Sequence, residues 1–248
     1  MTLIFAHRGS KGTHPENTLA SIKEAVEIGS DGVEIDVHLS KDKELIVIHD
    51  ETVDRTTDGT GAIKKMFLKE IKKLDAGSWF NPIYKNEKIP TLAEVVNLLN
   101  EMEFKGVLNI EIKTDKIRYW GIERKLAKFL KSQELSFSYI YSSFNIKSLI
   151  KINRFDKKSK KAWLIKNIDL ESRNMIRFKN SDIFEGLHPN IKKLKSKDEI
   201  IKFITKKIRP WTVNNKEDMT YCFKRNLDSI ITDYPKEALI LRKEYNNK

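Results

Sequence analysis

Short apolar runs alternate with helix-patterned stretches over nearly the whole chain, and this alternation limits the fold more than any other feature of the sequence. Leu3-Ile4-Phe5, Val33-Glu34-Ile35-Asp36-Val37, Leu45-Ile46-Val47-Ile48 and Val107–Ile112 have the length and apolar character of buried parallel strands. Residues 19, 22, 25, 26 and 28 are apolar and share one helical face, and Gly29 suits the C-terminal cap. Further helices are expected from a Thr91 N-cap to Met102 and over Asp115–Leu130, Asn145–Asn153, 195–206, 215–225 and Lys236–Tyr245, with a weak one near 170–178. The matching strands are Tyr139–Ser142, Ala162–Ile165, Ile183–Leu187, Ile208–Val213 and Ser229–Thr232. Strands alternating with helices on this scale predict an α/β barrel rather than an open sheet. Nine strand-like runs are one more than an eight-stranded barrel takes. Either residues 32–39 and 45–49 include a hairpin, or a weaker C-terminal run lies outside the barrel. Residues 51–90 break the alternation with turn formers such as Asp58-Gly59-Thr60-Gly61 and a short helix at Phe67–Leu74, and read as a small insertion at one end of the barrel, too small for a separate core. With no repeat or linker, residues 1–248 are expected to form one domain.

Composition narrows the setting. The lone Cys222 rules out an internal disulfide and is compatible with a reducing compartment. No run approaches the eighteen apolar residues of a membrane helix, and only six residues precede His7, so no cleaved signal peptide is expected and the reading is cytoplasmic. Net charge is +12 and uneven: residues 1–123 carry 17 Lys and Arg against 21 Asp and Glu (−4), residues 124–248 carry 30 against 14 (+16). The excess is mostly lysine, without concentrated arginine or interleaved aromatics, so nucleic acid is not an expected partner. A solvated lysine-rich exterior is the main reading. A field attracting an anionic substrate, or peripheral contact with a membrane surface, is compatible with it.

The chemistry concentrates at strand ends. Glu34 and Asp36 leave the same face of one strand, which in a barrel is the interior, where two unpaired negative charges are strongly unfavourable. A hard divalent cation, Mg²⁺ or Ca²⁺, resolves that, with Glu111 as a third ligand and Lys113 as a fixed positive charge beside it. His7 and His49 end different strands and could face each other across the barrel mouth, one neutral and one protonated, as general base and general acid. Arg8 could bind a phosphate bidentately, or pair with a ligand carboxylate. Cation, two imidazoles, Arg and Lys around one point suit phosphoryl transfer.

These residues also carry a resemblance. His7-Arg8-Gly9, Pro15-Glu16-Asn17-Thr18, Glu34-x-Asp36-Val37, Lys41-Asp42, His49-Asp50, Arg55-Thr56-Thr57, Asp75-Ala76-Gly77-Ser78, Pro90-Thr91-Leu92-x-Glu94, Glu111-x-Lys113, Ser142-Ser143-Phe144, Trp211-Thr212-Val213-Asn214 and Thr232-Asp233-x-Pro235 stand in the order and spacing of glycerophosphodiester phosphodiesterases. Lys43 departs from the family's usual glycine, and residues 155–200 match only loosely. The resemblance implies a TIM (β/α)8-type barrel of phospholipase-C-like phosphodiesterase architecture that splits a small glycerophosphodiester into sn-glycerol 3-phosphate and an alcohol. It implies Glu34, Asp36 and Glu111 as metal ligands, His7 as base, His49 as acid, and Arg8 and Lys113 on the phosphate. The glycerol 2-hydroxyl would attack phosphorus to give a cyclic phosphate that water opens. Glu16 and Asn17 are expected to anchor the first loop or reach the metal site by hydrogen bonds. Phe144 and Trp211 are expected either as an apolar wall of the substrate pocket or as barrel-top packing, and Asp233 as the cap of the last helix. The alternatives are a lysophospholipase D-like enzyme at a membrane surface, a non-catalytic anion-binding module, and a metal-dependent isomerase or aldolase. The paired histidines disfavour the last two.

Overall fold

In the computed structural model, which describes residues 1–247, eight parallel strands form a nearly closed barrel wrapped by helices. In chain order the elements are β1 (Leu3–His7), α1 (Leu19–Glu27), β2 (Gly32–Leu39), β3 (Leu45–Val47), α2 (Leu68–Ile71), α3 (Leu92–Glu101), β4 (Val107–Ile112) and α4 (Ile122–Lys131). There follow β5 (Ser138–Ser143), α5 (Ile146–Ile152), β6 (Lys160–Ile165), α6 (Arg173–Lys179), β7 (Gly186–Pro189), α7 (Ile191–Lys195), β8 (Lys207–Ile208), α8 (Lys216–Lys224), β9 (Ser229–Thr232) and α9 (Pro235–Asn246). The parallel order is β8-β7-β6-β5-β4-β2-β1-β9. Between β8 and β9 the circle is drawn together by Asp228 N donating to Ile208 O (3.2 Å), Ile231 N to Pro210 O (3.0 Å) and Val213 N to Ile231 O (2.9 Å).

The ninth run is the hairpin. β3 pairs antiparallel with the far end of β2, Val47 opposite Val37 and Leu45 opposite Leu39, and lies off the circle. Its ladder stops at Val47, two residues short of the expected 45–49, although Ile48 N still donates to Asp36 O at 3.1 Å. The tight return between the strands is held by Glu44 N donating to Ser40 Oγ (2.8 Å) and Ser40 Oγ donating to Asp42 (2.6 Å). Lys43 sits there at φ 68, the left-handed region in which a side chain is strained and glycine is not. Lys43→Gly is therefore expected to stabilise the protein by up to about 1 kcal/mol, since native strain of about 1–2 kcal/mol is relieved and part is returned as unfolded-chain entropy. Urea unfolding of the two proteins checks this; a lower midpoint in the variant would contradict it.

Packing follows strand periodicity. Val33, Ile35 and Val37 of β2 join Ile4, Ala6, Ile22, Leu92, Val95 and Ile110 in the core between barrel and helices. Phe5, Ile140, Ala162 and Ile231 form the cluster that fills the barrel itself. Helix starts are capped as the sequence suggests: Thr91 accepts from Glu94 N, and Asn145 from Lys147 N. Residues 51–90 pack around a small apolar cluster that is not theirs alone: Ile46 and Ile48 of the hairpin arm supply part of it alongside Val53, Ile63, Ile71 and Ile89.

Other boundaries move for local reasons. The strand expected at Ile208–Val213 keeps regular pairing only at Lys207–Ile208, because Pro210 has no N–H to offer the ladder. Ile183–Leu187 slides to Gly186–Pro189, Phe184 instead packing against Phe178 with ring centroids 5.4 Å apart. The 195–206 helix breaks into α7 and a 3₁₀ turn over 198–203, since Asn190 caps an earlier start through Lys192 N and Lys193 N. The helix expected from Asp115 begins only at Ile122, after Gly121 at φ 85, which leaves residues 113–121 as a loop at the barrel mouth.

Candidate active site

Strand register brings the acidic side chains together. Parallel pairing sets His7 beside Glu34 and Asp36 beside Glu111. Alternate residues share a face, so Glu34, Asp36 and Glu111 turn away from the helices. All three are buried, and one oxygen of each lies within 4.8 Å of the others. Burial pushes Glu34 well above the usual carboxylate range, and the charges of Asp36 and Glu111 add to it. Burial likewise raises Glu111 to about 7, with Lys113 opposing. At Asp36 the effect of burial is outweighed by Lys113 and Arg8, which hold the carboxyl well below its ordinary value. Lys113 Nζ stands 2.9 Å from Glu111 and 3.4 Å from Asp36, Arg8 Nε 3.3 Å from Asp36, and Asn17 Nδ2 donates to Asp36 at 2.9 Å. Three converging oxygens that remain short of positive charge form a site a hard divalent cation fits.

The two histidines reach the mouth by different routes. His7 ends β1. His49 follows β3, which runs back toward the rim, so the hairpin rather than a third parallel strand end delivers it. His7 Nδ1 lies 2.6 Å from Asp233 and His49 Nδ1 lies 2.6 Å from Asp50. A carboxylate only accepts, so Nδ1 carries the proton in each ring and Nε2 is left free. His7 Nε2 is 3.9 Å from Glu34. Burial, followed by the charge of Arg8, pushes His7 down to about 4; burial lowers His49 as well, with Asp36 opposing. The side chain of His7 is 13% exposed and that of His49 30%, so His7 is the more firmly neutral imidazole and His49 the more easily protonated.

Asp233 corrects an expectation. It does not cap α9, whose N-cap position is Tyr234 with no side-chain hydrogen bond. Asn214 Nδ2 donates to Asp233 at 2.8 Å, and Asp233 N donates to Asn214 Oδ1 at 2.9 Å, so the carboxylate is fixed facing His7. The hydrogen bond from His7 overcomes burial and holds Asp233 at about 2.

A second ionic assembly ties the loops together. Arg55 Nε donates to Asp50 at 2.7 Å, its Nη1 and Nη2 donate to Glu16 at 2.9 and 2.7 Å, and Arg8 Nη1 donates to Glu16 at 2.7 Å. Arg8 and Asn17 lie at φ 54 and 57, and Gly9 at φ 76 passes so close to Ser21 that a Cβ would stand 2.5 Å from its main chain. Burial would raise Glu16, but the hydrogen bond from Arg55 and the charge of Arg8 bring it down to about 2. A carboxyl held below its unfolded value of 4.5 contributes stability that is present above about 4.5 and lost as pH falls toward about 2. Glu16→Gln is therefore expected to be less stable by on the order of 3 kcal/mol at pH 7, the gap closing as pH falls from 4.5 to 2. Denaturant titrations across that window measure it; a gap independent of pH would contradict it.

His7, Arg8, Glu34, His49, Glu111, Lys113, Phe144 and Trp211 all line one cavity at the mouth, with Asn109, Asp115, Lys116, Leu164 and Lys166. Asp36, Glu16 and Asn17 stand behind it, reaching it through Arg8 and Lys113. Phe144 and Trp211 meet edge to face with centroids 5.4 Å apart, and Trp211 Nε1 donates to His188 O at 2.8 Å, so they pack against each other and wall the cavity at once. Sequence reasoning missed Asp233, Asp50 and Arg55 as parts of this assembly, and also His38 behind it, whose ring nitrogens lie 2.9 Å from the Tyr119 hydroxyl and 3.0 Å from the main-chain oxygen of His49. Asp50 and Arg55 stood inside quoted motifs, and Thr232-Asp233-x-Pro235 was the signal for Asp233. His38, alternating with Glu34 and Asp36 on β2, left only that period-two spacing as a clue.

Comparison with known proteins finds one family over almost the whole chain. The model of the glycerophosphoryl diester phosphodiesterase family matches residues 7–237. A glycerophosphodiester phosphodiesterase of Caldanaerobacter subterraneus subsp. tengcongensis is 43% identical over 242 residues, 96% of this chain and 96% of that protein. One from Bacillus altitudinis is 34% identical over 253 residues, covering 98% of this chain and 99% of its own length. Among solved structures, an Oleispira antarctica phosphodiesterase in complex with the product sn-glycerol-3-phosphate superposes with a TM-score of 0.85 at 31% identity, over 97% of this chain and 96% of that one.

Proposed function

The chain belongs to the glycerophosphoryl diester phosphodiesterase family, and on that footing we propose that it is a divalent-metal-dependent phosphoric diester hydrolase converting glycerophosphodiesters such as glycerophosphocholine and glycerophosphoethanolamine to sn-glycerol 3-phosphate and an alcohol, in phospholipid and glycerol metabolism. The observation that carries the reading is the pair of imidazoles, each fixed at Nδ1 by a carboxylate, opening on the cavity lined by Glu34 and Glu111, with Asp36 converging on them from behind.

Glu34, Asp36 and Glu111 would hold Mg²⁺ or Ca²⁺. Bound there, the cation supplies positive charge against the phosphoryl oxygens and lowers the cost of deprotonating a nearby hydroxyl. Arg8 and Lys113 bring further positive charge to the non-bridging oxygens. His7, neutral and with Nε2 free, takes the proton of the glycerol 2-hydroxyl as that oxygen attacks phosphorus. His49, protonated once the anionic phosphate lies beside it, gives its proton to the departing alkoxide. The cyclic phosphate opens by the reverse transfers: His49 takes a proton from water and His7 returns one to the 2-oxygen. Asp233 and Asp50 keep each ring in the required tautomer and favour the imidazolium when it forms. Phe144 and Trp211 would bound the glycerol carbons.

No helix among the described residues is long and apolar enough to cross a membrane. We place the protein in the cytoplasm, residues 1–248 acting as one catalytic domain. The test is a panel of glycerophosphodiesters assayed with Mg²⁺, Ca²⁺ or Mn²⁺ while glycerol 3-phosphate is followed. Release that stops on chelation and resumes on adding cation is expected. Turnover indifferent to chelator would overturn the metal assignment, and turnover requiring vesicles would favour an interfacial lysophospholipase D-like enzyme instead.

A further inference from the structure

His38 takes no part in the chemistry above, yet it is fully buried and both ring nitrogens are engaged. It lies on β2 two residues beyond Asp36, past the point where β2 leaves the barrel circle and pairs only with β3. Nε2 is 3.0 Å from the main-chain oxygen of His49, and Nδ1 is 2.9 Å from the hydroxyl of Tyr119. The rings of His38 and Tyr119 meet edge to face, centroids 5.4 Å apart at 84°.

The chemistry of the partners fixes the protons. A carbonyl oxygen only accepts, so Nε2 of His38 carries the hydrogen and donates to His49. Nδ1 is then an acceptor, and the Tyr119 hydroxyl donates to it. Remove that hydroxyl and Nδ1 is left buried without a partner, a loss that favours movement of the ring or the other tautomer. In that tautomer Nε2 and the His49 oxygen would both be acceptors facing each other.

What the arrangement holds is the peptide that carries His49. The ladder ends at the Val37–Val47 pair, so residues 48 and 49 run on without regular strand pairing. Ile48 N is fixed to Asp36 O at 3.1 Å, and the carbonyl oxygen of His49 itself is fixed by His38. The side chain is restrained independently by Asp50, which Arg55 holds in turn. Tyr119 comes from the loop 113–121, which also sends Lys113, Asp115 and Lys116 to the cavity wall. One buried pair thus connects the loop on one side of the mouth to the acid/base residue on another.

We propose that His38 and Tyr119 are positioning residues for His49, holding its peptide so that Nε2 stays aimed at the leaving-group oxygen. The inference rests on the reading of His49 as an acid/base residue. Displacing a catalytic group by about 1 Å costs roughly 100-fold in rate, so the effect belongs in kcat and not in KM.

The experiment compares His38→Leu, His38→Gln and Tyr119→Phe with the parent enzyme, using glycerophosphocholine and glycerol 3-phosphate p-nitrophenyl ester. Glutamine can still donate to His49 O and accept from Tyr119; leucine can do neither. Expected on glycerophosphocholine are a kcat fall of about 100-fold for His38→Leu and roughly 10-fold for Tyr119→Phe, KM staying within about twofold and His38→Gln recovering most of the loss. The p-nitrophenolate leaves without a proton, so in its first-turnover release, which precedes the step in which His49 takes a proton from water, the same variants should lose far less. Equal losses on both substrates, or a glutamine variant as slow as the leucine one, would overturn the proposal. If His38→Leu does not fold, Tyr119→Phe decides: unchanged kcat on glycerophosphocholine overturns it. His49→Ala separates the two levels. If it retains full activity, the acid/base reading itself has failed; if it is inactive while both positioning variants turn over normally, only this inference has.

Discussion

His49→Ala is expected to lower kcat on glycerophosphocholine by about 10³-fold, and His7→Ala by a similar factor, within the roughly 10²–10⁴ that a positioned proton donor or acceptor supplies. The two should differ in their response to the leaving group. Choline departs as a poor alkoxide and needs a proton; p-nitrophenolate does not. The loss in His49→Ala should shrink by at least about tenfold in the first-turnover release of p-nitrophenolate, which precedes the step in which His49 takes a proton from water, whereas that in His7→Ala should persist, because the 2-hydroxyl must lose its proton whatever leaves. The opposite pattern would exchange the two roles. Asp233→Asn extends the test: the carboxylate only accepts at His7 Nδ1, 2.6 Å away, whereas the amide can turn an N–H toward it, and the ring is free to take the wrong tautomer. A kcat loss of about 10²-fold or more is expected there, and wild-type turnover would remove Asp233 from the account.

The second large effect lies in the carboxylates. Glu111→Gln should lower kcat by at least about 10²-fold, through lost charge stabilisation of a transferring phosphoryl group. The same substitution should raise the thermal midpoint in chelator. Burial and Asp36 push Glu111 up to about 7, so in the absence of a cation its ionised form is unfavourable, and a neutral amide of equal size relieves that. Added Mg²⁺ should stabilise the parent protein and leave the variant's midpoint nearly unchanged. Calorimetry with and without cation reads both effects. A variant that is equally stabilised by Mg²⁺, or that keeps its activity, would show that Glu111 is not a ligand.

The parts of this site legible in the sequence are those governed by strand periodicity. Glu34, Asp36 and Glu111 could be placed on inward faces because period two along a buried strand admits one arrangement. The carboxylate behind His7 could not be found that way, since Asp233 lies 226 residues downstream and meets His7 only because β1 and β9 are neighbours. A residue just ahead of Pro235 looks like a helix cap until the barrel has closed. The direction in which His49 arrives was equally hidden: five residues between β2 and β3 allowed a hairpin or a crossover, and the ladder alone decides. His38 belongs to a third kind. Its alternation with Glu34 and Asp36 marks its face, but its partners are a backbone oxygen and a loop tyrosine, neither of which leaves a pattern in sequence. The charge asymmetry divides in the same way: Lys195 pairs with Glu217 and Asp218 on the surface, whereas Lys161 is buried and donates to Ser159 O at 2.6 Å, a distinction composition does not carry.

The most direct test of the central claim is which phosphorus–oxygen bond breaks, followed by ³¹P NMR on glycerophosphocholine with the protein and Mg²⁺. The account predicts sn-glycerol 3-phosphate as the final phosphorus-containing product, with choline released in equal amount, and no build-up of either in the His7→Ala, His49→Ala double variant. Phosphocholine and glycerol as products, or product formation undiminished in that double variant, would contradict it.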